Sequence, residues 1–563
     1  MPSTAFEKDV EAGSAKDTIK ASSPMVDDSD NQHAQPELAN ITERPQTPVG
    51  KLGLYIQNLE SYLAKYKFEA RGIDRVLVED THPTNWRSYI QAFFFWFSVN
   101  LAAQNITLGM LGPYIFYLSF RDATLCAAFG AMIGSLPVAH ISTFAPISGL
   151  RTLVFARFTF GWWPTKLLVI LNMIVLAGYS LIDLVIGGQI LSAISPSGNL
   201  SIVVGIIIVG LICWIISTFG LTVFHLYQRY AWIPQLIAIC ILFGVSSSKY
   251  DLKTPSQGDP KTVIASRISF FSLCFSAAIT YTGSAADFFV YYSPSTSRPL
   301  LFLAAWFGLT TSFVLAFTAG TGLASGIPIH KNYESAYKTS QGALIVEGFS
   351  PLHGFGKFLS VVVFFSLVSN TVLPSYSIGI DFQLLARFAQ RVPRFVWNTA
   401  GVIIYTVCAL AGRNSLSEIF TNFLALMGYW VAIWVAVSLE EQILFRGGSW
   451  SGSGWWTVPI GDQHGYGVER SGSFRGGSKG RWKGYEWTVW NQQEKLPLGL
   501  AALVAFLVGW AGAILSMAQV WYTGPIAGKV GEHGADIGNY VAFSWAAIIY
   551  PPLRYFELQK WGR

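Results

Sequence analysis

The chain reads as an all-α membrane protein, and three observations carry that reading. Long apolar runs follow one another from about residue 90, each near the roughly 20 residues a helix needs to cross a bilayer. Only 12% of the 563 residues are charged, against 52% hydrophobic, where soluble chains carry about a quarter charged. Isolated polar and ionisable residues recur inside the apolar runs, as they do where helices line a cavity.

Residues 1–48 stand apart, with nine acidic side chains against four basic ones. That is the composition of a disordered tail, and no cleavable signal precedes the first apolar run. Residues 49–88 form a juxtamembrane segment. In it Leu52, Tyr55, Ile56, Leu59, Tyr62, Leu63 and Tyr66 share one helical face. Such a helix lies on the membrane surface or packs on the bundle, and both readings stay open.

Twelve spans follow, beginning near Tyr89, Ala123, Thr165, Leu200, Ala231, Ile268, Leu300, Phe355, Val396, Ser417, Leu496 and Ile537. The first ten occupy 89–445. A Gly/Ser/Trp-rich loop covers 446–495, and spans eleven and twelve with a short terminus cover 496–563. Arg151, Arg157, Arg229, Arg298, Arg387, Arg391 and Arg394 fall in alternate short loops. Those loops, the 446–495 loop and both termini are therefore expected on the cytoplasmic side. The net charge of +6 follows from them and needs no nucleic-acid partner. The five cysteines form no CxxC pair, and no HExxH or GxxxxGK[ST] motif is present. Neither an enzyme nor a metal centre is expected.

Two spans are interrupted. The first reads SVNLAAQNITLGMLGP over 98–113 and the sixth FSAAITYTGSAAD over 275–287. Interrupted helices at matching places in two halves mark an inverted-repeat transporter; close packing of small residues would account for one of them alone. In the third span Asp183 lies 17 residues beyond Lys166 and 12 before Ser195, roughly 25 Å and 18 Å from the polar ends. A charged Asp at that depth costs about 3 kcal/mol, so it faces a cavity or a partner. Tyr179, one turn earlier, shares its face. In the eighth span Ser369, Asn370 and Thr371 cluster before Pro374, whose missing N–H frees the carbonyl near Asn370. The candidate substrate residues are Ser98, Tyr179, Asp183, Tyr281, Asn370, Thr371 and Pro374. They offer aromatic faces and edge-reading groups, the two things a flat heterocycle needs.

Five segments carry a resemblance: ARFTFGWWPTK (156–166), GSAADFFVY (283–291), LALMGYWVAIWVAVSLEEQILFR (424–446), GWAGAILSMAQVWYTGPIAGKVG (509–531) and YPPLRYFELQKWGR (550–563). They resemble the fungal purine–cytosine permeases of the nucleobase–cation symporter-1 family, over about residues 50–563. The resemblance implies a five-plus-five inverted repeat of the LeuT kind with two extra C-terminal helices. It implies proton-coupled import of purine bases and cytosine, or a related flat heterocycle, at the plasma membrane. Vitamin B6 or an allantoin- or hydantoin-like compound is the alternative cargo. A non-transporting nutrient receptor of the same fold is the alternative from another class. The family's substrate residues carry over with departures. Its first-span Ser matches Ser98. Its third-span Trp and Asn fall on Tyr179 and Asp183, and its sixth-span Trp on Tyr281. Its eighth-span Asn-Asn-x-Pro-Asn becomes Asn370, Thr371, Val372, Leu373 and Pro374.

An ionised carboxylate only accepts hydrogen bonds, where an amide also donates. Asp183 therefore favours a donor-rich ligand edge, as in adenine, cytosine or a pyridine such as vitamin B6. Burial penalises a carboxylate's charge, which makes Asp183 a candidate carrier of the coupled proton. Asp287, at the end of the sixth span, is the rival, with capping of a half-helix as its other possible duty. No cofactor beyond the coupling ion is expected. The expected partners are the bilayer and a small heterocycle, and the oligomeric state stays open. The loop before span eleven repeats FRGGS at 445–449 and 474–478. The family's Y-x-W-x-x-W-N pattern falls on Tyr485, Trp487, Trp490 and Asn491. About 29 residues thus read as an insertion, either a flexible spacer or retained intron sequence.

Overall fold

A computed structural model describes residues 72–195, 199–218, 221–390, 392–446 and 485–563. The acidic tail, the amphipathic run at 51–70 and the FRGGS repeat beyond Arg446 lie outside these residues. The first apolar run is two helices, α1 (Trp86–Asn100) and α2 (Ala103–Tyr114). Next come α3 (Phe120–Ser142), α4 (Trp162–Ile194), α5 (Ile202–Thr218) and α6 (Leu221–Ser246). α7 (Pro260–Ile279) and α8 (Arg298–Ser325) follow. Two short helices, α9 (Lys331–Thr339) and α10 (Gln341–Gly348), lie between the seventh and eighth expected spans. They lead into α11 (His353–Leu385), α12 (Arg394–Gly412) and α13 (Leu424–Glu440). α14 (Leu500–Ser516) and α15 (Gly538–Trp561) close the chain. Among the described residues, eight helical stretches are long and apolar enough to cross a membrane, and α5 and α14 are shorter apolar helices. α7 starts at Pro260 rather than near Ile268, because Asp259 accepts the Lys261 N–H and Pro260 sits at the first helical position, both strong start signals.

Two groups of helices form the core. α1, α2, α3, α7 and α8 pack on one another, as do α4, α5, α11 and α12, with α11 also touching α1 and α2. Within the first group α2 and α8 meet backbone to backbone. A Cβ on Gly109 would strike the Phe317 carbonyl, and one on Gly320 the Ile106 carbonyl. Small residues allow that approach.

The two interruptions differ, against the expectation that they match. At the first, Leu101 and Ala102 leave helical geometry (ψ 53° and 151°) and a second α-helix resumes. The sixth span does not resume. α7 tightens into a 3-10 turn over Thr280–Ser284 and continues as turns to Tyr291. Pro294 follows so soon that too few residues remain for a stable second helix.

The α3–α4 connection holds three short helices, Phe144–Ser148, Thr152–Phe155 and Arg157–Phe160. The Y-x-W-x-x-W-N pattern docks there. Tyr485 and Trp487 stack at 4.8 Å and contact Phe155 and Phe158. Arg157 donates to the Trp490 carbonyl at 3.2 Å and lies 4.1 Å over the Trp162 ring.

The C-terminal helices are fastened by buried charge. Glu441, after α13, accepts from Tyr550 (2.8 Å) and from both Nε and Nη2 of Arg554 (3.0 Å each) on α15, and from Arg446 (2.9 Å). Glu557 accepts the Gly499 and Ala501 N–H groups at the start of α14, where a carboxylate suits the helix dipole. Asp536 precedes α15, beyond a ribbon of β1 (Ala518–Gln519) and β2 (Tyr522–Thr523). It accepts from Tyr429 (2.7 Å) and Gln519 (3.1 Å) and caps Gly538.

Glu441→Gln is expected to leave Arg554 buried with half its partners. It should lower stability by about 3–5 kcal/mol, read as a lower melting temperature of the purified protein in detergent. Burial pushes the Asp536 carboxyl from the ordinary 3.8 up to about 6. Folding therefore takes up a proton at Asp536 between those values. Its contribution to stability is full below pH 3.8 and lost as pH rises through about 6. Amide exchange across 517–537 should quicken over that window, and Asp536→Asn should flatten the dependence.

Candidate functional site

The gap between α1 and α2 breaks a specific helical bond. In an unbroken helix the Ala103 N–H would donate to the Val99 carbonyl. Here the Ala103 N–H goes to Ser366 Oγ at 3.0 Å, and the Val99 carbonyl accepts from Asn370 Nδ2 at 2.9 Å. Ser366 and Asn370 stand one turn apart on α11, so one helix face replaces both halves of the lost bond. Asn105 Nδ2 serves the Asn100 carbonyl at 2.7 Å. Ser98 Oγ meets Ser369 Oγ at 3.4 Å on the same face of α11.

From this junction the other sequence-chosen residues connect in series. Asn370 Nδ2 also donates to the Tyr281 phenol at 2.8 Å. The Tyr281 ring lies 5.2 Å from Tyr179, inclined at 34°, with Trp96 and Phe313 each 6.1 Å away on other sides. Tyr179 is tied to the end of α7, its hydroxyl donating to the Ala277 carbonyl at 2.9 Å and meeting Thr280 Oγ1 at 2.5 Å. Thr371 Oγ1 contacts Asp183 Oδ2 at 2.9 Å and the Leu367 carbonyl at 2.8 Å. One hydroxyl hydrogen thus serves two acceptors. Pro374 follows one turn after Asn370 inside α11, which stays helical through it. The two phenols touch in this conformation. A ring sandwiched between them would need about 7 Å, two van der Waals separations, so stacking on both requires them to part.

Asp183 is fully buried, as are Asn370 and Gln104. Asp183 Oδ1, Asn370 Oδ1 and Gln104 Oε1 find no donor. The Asn370 amide hydrogens already serve Val99 and Tyr281. Asp183 and Asn370 thus have only acceptors left for a ligand, and Gln104 adds a further unpaired acceptor. Gln104, whose side chain reaches the Tyr281 phenol, was legible only as one polar letter in the interrupted first span.

Asp287 lies elsewhere, toward the end that carries Arg151. Its Oδ1 accepts the Thr152 N–H (2.8 Å) and hydroxyl (2.9 Å), and its Oδ2 accepts from Ser377 (2.9 Å). It therefore caps the Thr152–Phe155 turn rather than a half-helix of its own span. One turn beyond Ser377 stands Asp381, an acidic residue of the eighth span that the sequence alone did not single out. Its Oδ2 accepts from Asn172 Nδ2 at 2.7 Å.

Comparison with known proteins matches the family described as permease for cytosine/purines, uracil, thiamine, allantoin over residues 79–450. The vitamin B6 transporter TPN1 of Saccharomyces cerevisiae is 32% identical, over 97% of this chain and 98% of that one. The purine-cytosine permease fcyB of Emericella nidulans is 32% identical, over 90% and 92%. Among solved structures, Mhp1, a nucleobase-cation-symport-1 family transporter in a closed conformation with bromovinylhydantoin bound, aligns with a TM-score of 0.58. That alignment has 14% identity and covers 88% of this chain and 96% of Mhp1. A sodium-coupled sialic acid symporter aligns at 0.56 with 10% identity, over 90% and 96%. Both share the fold.

Ser366→Ala strands the Ala103 N–H in a buried site. The expected cost is about 1–3 kcal/mol, measured by thermal unfolding in detergent, with Ser366→Thr restoring most of it.

Proposed function

We propose that this chain, which belongs to the family of permeases for cytosine/purines, uracil, thiamine and allantoin, imports a flat, donor-rich nitrogen heterocycle, with a vitamin B6-type pyridine as its foremost cargo. The observation that carries the reading is the set of three buried acceptors without donors: Asp183 Oδ1, Asn370 Oδ1 and Gln104 Oε1. Pyridoxine presents several hydroxyl donors and a protonatable ring nitrogen around one small ring. A buried acceptor left unpaired costs about 1–3 kcal/mol, so a ligand that supplies those hydrogens gains what the substrate-free site lacks. The vitamin B6 transporter similar over 97% of the chain supports the same cargo. Adenine and cytosine form the second reading. They bring an exocyclic amine and a ring N–H to the same acceptors, and fcyB supports them.

The architecture proposed for this task is twelve spans. α1 with α2 forms one, the α7 segment another, and ten of them make two inverted sets of five, followed by α14 and α15. In this reading the basic connections with Arg151, Arg157, Arg298 and Arg394 face the cytoplasmic side of the plasma membrane, as do both termini. The proton gradient drives accumulation. One proton crossing 100 mV supplies about 2.3 kcal/mol, enough to concentrate a neutral base roughly fifty-fold. Asp183, with one contacted oxygen and one open, serves recognition in this scheme. The further role of carrying the proton falls more naturally on a carboxylate nearer the cytoplasmic end.

Uptake of radiolabelled pyridoxine, adenine, cytosine, hypoxanthine, uracil and allantoin by transport-null cells at acidic external pH tests the reading. Pyridoxine is expected to lead, followed by adenine and cytosine; preferential uptake of uracil would sink it. Asp183→Asn adds a donor at the rim and should shift competition toward hypoxanthine, relative to pyridoxine, by roughly tenfold, about one hydrogen bond's worth.

A further inference from the structure

Asp287 and Asp381 are close neighbours with unequal surroundings. Ser377, which donates to Asp287 Oδ2 at 2.9 Å, lies one turn before Asp381 on α11, so Asp287 packs against the helix face that carries Asp381. Asp287 collects three donors from Thr152 and Ser377. The Arg151 guanidinium stands beside it, donating to its main-chain carbonyl at 2.5 Å. Asp381 is 2% exposed and receives one amide, Asn172 Nδ2. Among the described residues no ion pair reaches it.

The other charged and titratable groups around the pair are accounted for. From the α3–α4 connection Arg151 stacks on Tyr376 with its guanidinium carbon 5.5 Å from the ring centre, and it also faces Tyr291 of the sixth span at 5.9 Å. From α12 Arg394 covers Tyr376 at 4.4 Å. Asn172 is the polar group from α4, and Tyr376, Ser377 and Asp381 come from α11. Of the two guanidiniums over Tyr376, Arg151 serves Asp287, and among the described residues neither makes an ion pair with Asp381, so a charge on the second carboxylate would have only the Asn172 amide as direct partner. A single proton shared by the pair removes the cost of that charge.

Asn172 suits a group that changes charge. Its amide donates N–H to a carboxylate; turned over, its oxygen accepts from a carboxylic acid. That oxygen has no donor in this conformation. It lies against Gly283 so closely that any Cβ there would overlap it. An exit is near. A cavity of about 310 Å³ lined by Trp162, Lys166, Leu384 and Arg387 opens at this end of the molecule. Leu384 is three residues past Asp381, within about 5 Å along the helix.

We propose that Asp287 and Asp381 together hold the coupled proton, with Asp381 as the group that gains and loses it and Asn172 as its two-state partner. The proposal rests on the proton-driven import described above and assigns the proton to a place separate from the substrate acceptors. When the cytoplasmic side opens, the Asp381 O–H bond breaks heterolytically. The proton passes to water in the adjoining cavity, and the carboxylate left behind keeps the Asn172 N–H.

The test uses full-length protein in transport-null cells and in vesicles, with radiolabelled pyridoxine and adenine. Asp381→Asn should keep label exchange between preloaded vesicles and medium within about twofold, while accumulation driven by a pH gradient falls by roughly tenfold or more. Its uptake should lose dependence on external pH. Asp381→Glu should restore both, and Asn172→Leu should move the midpoint of the pH profile while exchange persists. Wild-type accumulation and pH profile in Asp381→Asn overturn the proposal alone. Loss of exchange together with accumulation assigns Asp381 a structural role and overturns it as well. A wild-type protein that accumulates neither label under a pH gradient overturns the import reading, and this proposal with it.

Discussion

One helix face makes good the backbone bond that the first span gives up. Inside a bilayer an unpaired N–H or carbonyl costs several kcal/mol, so an interrupted helix persists only if something else pairs its freed groups. Ser366 and Asn370 do this for Ala103 and Val99. Their spacing of one turn is what lets a single element reach both ends of the break. The second group of helices is thereby joined to the first at the place where the candidate site sits, and Asn370 acquires a structural duty besides any ligand contact.

That duty shapes the chemistry. With its amide hydrogens committed to Val99 and Tyr281, Asn370 can offer a ligand only its oxygen. Asp183 and Gln104 add further acceptors. A site that leads with acceptors selects cargo by its hydrogens. The Asp at 183 and the Pro at 374 act in the same direction, since an ionised carboxylate and a proline side chain donate no hydrogen bond. The Tyr179 and Tyr281 rings lie 5.2 Å apart. Tyr179 is hydrogen-bonded to the end of α7, so a gap wide enough for a ring between the two phenols would separate α4 from that end.

The two carboxylate sites differ by what neutralises them. Asp183 has a hydroxyl whose hydrogen also serves Leu367, and Asp287 has Arg151 and three donors. Asp381 has an amide able to present either of its faces. On α11 Ser377 lies six residues beyond Thr371 and Asp381 ten, so the proposed recognition and proton sites share one helix without sharing groups. The segment Tyr485–Asn491 grips the α3–α4 connection through Arg157, and that connection holds Asp287 through Thr152. The Tyr485–Asn491 segment and the buried Asp287 are thus joined through that connection.

Apolar run length and charge placement by themselves determined the helical membrane class, the position of most helices, the buried Asp183 and the cluster at Ser369–Thr371, because transfer energies act on each residue wherever its neighbours are. The Tyr485–Asn491 pattern was visible too, though not what it grips. Only the tertiary structure decided that the sixth span fails to resume as a helix, that Asp287 caps a turn from another connection, and that Asp381 and Asn172 belong together. Those outcomes depend on partners far apart in the chain, Asn172 with Asp381 and Thr152 with Asp287. A pairing energy between distant groups leaves no periodicity or composition for a linear reading to find.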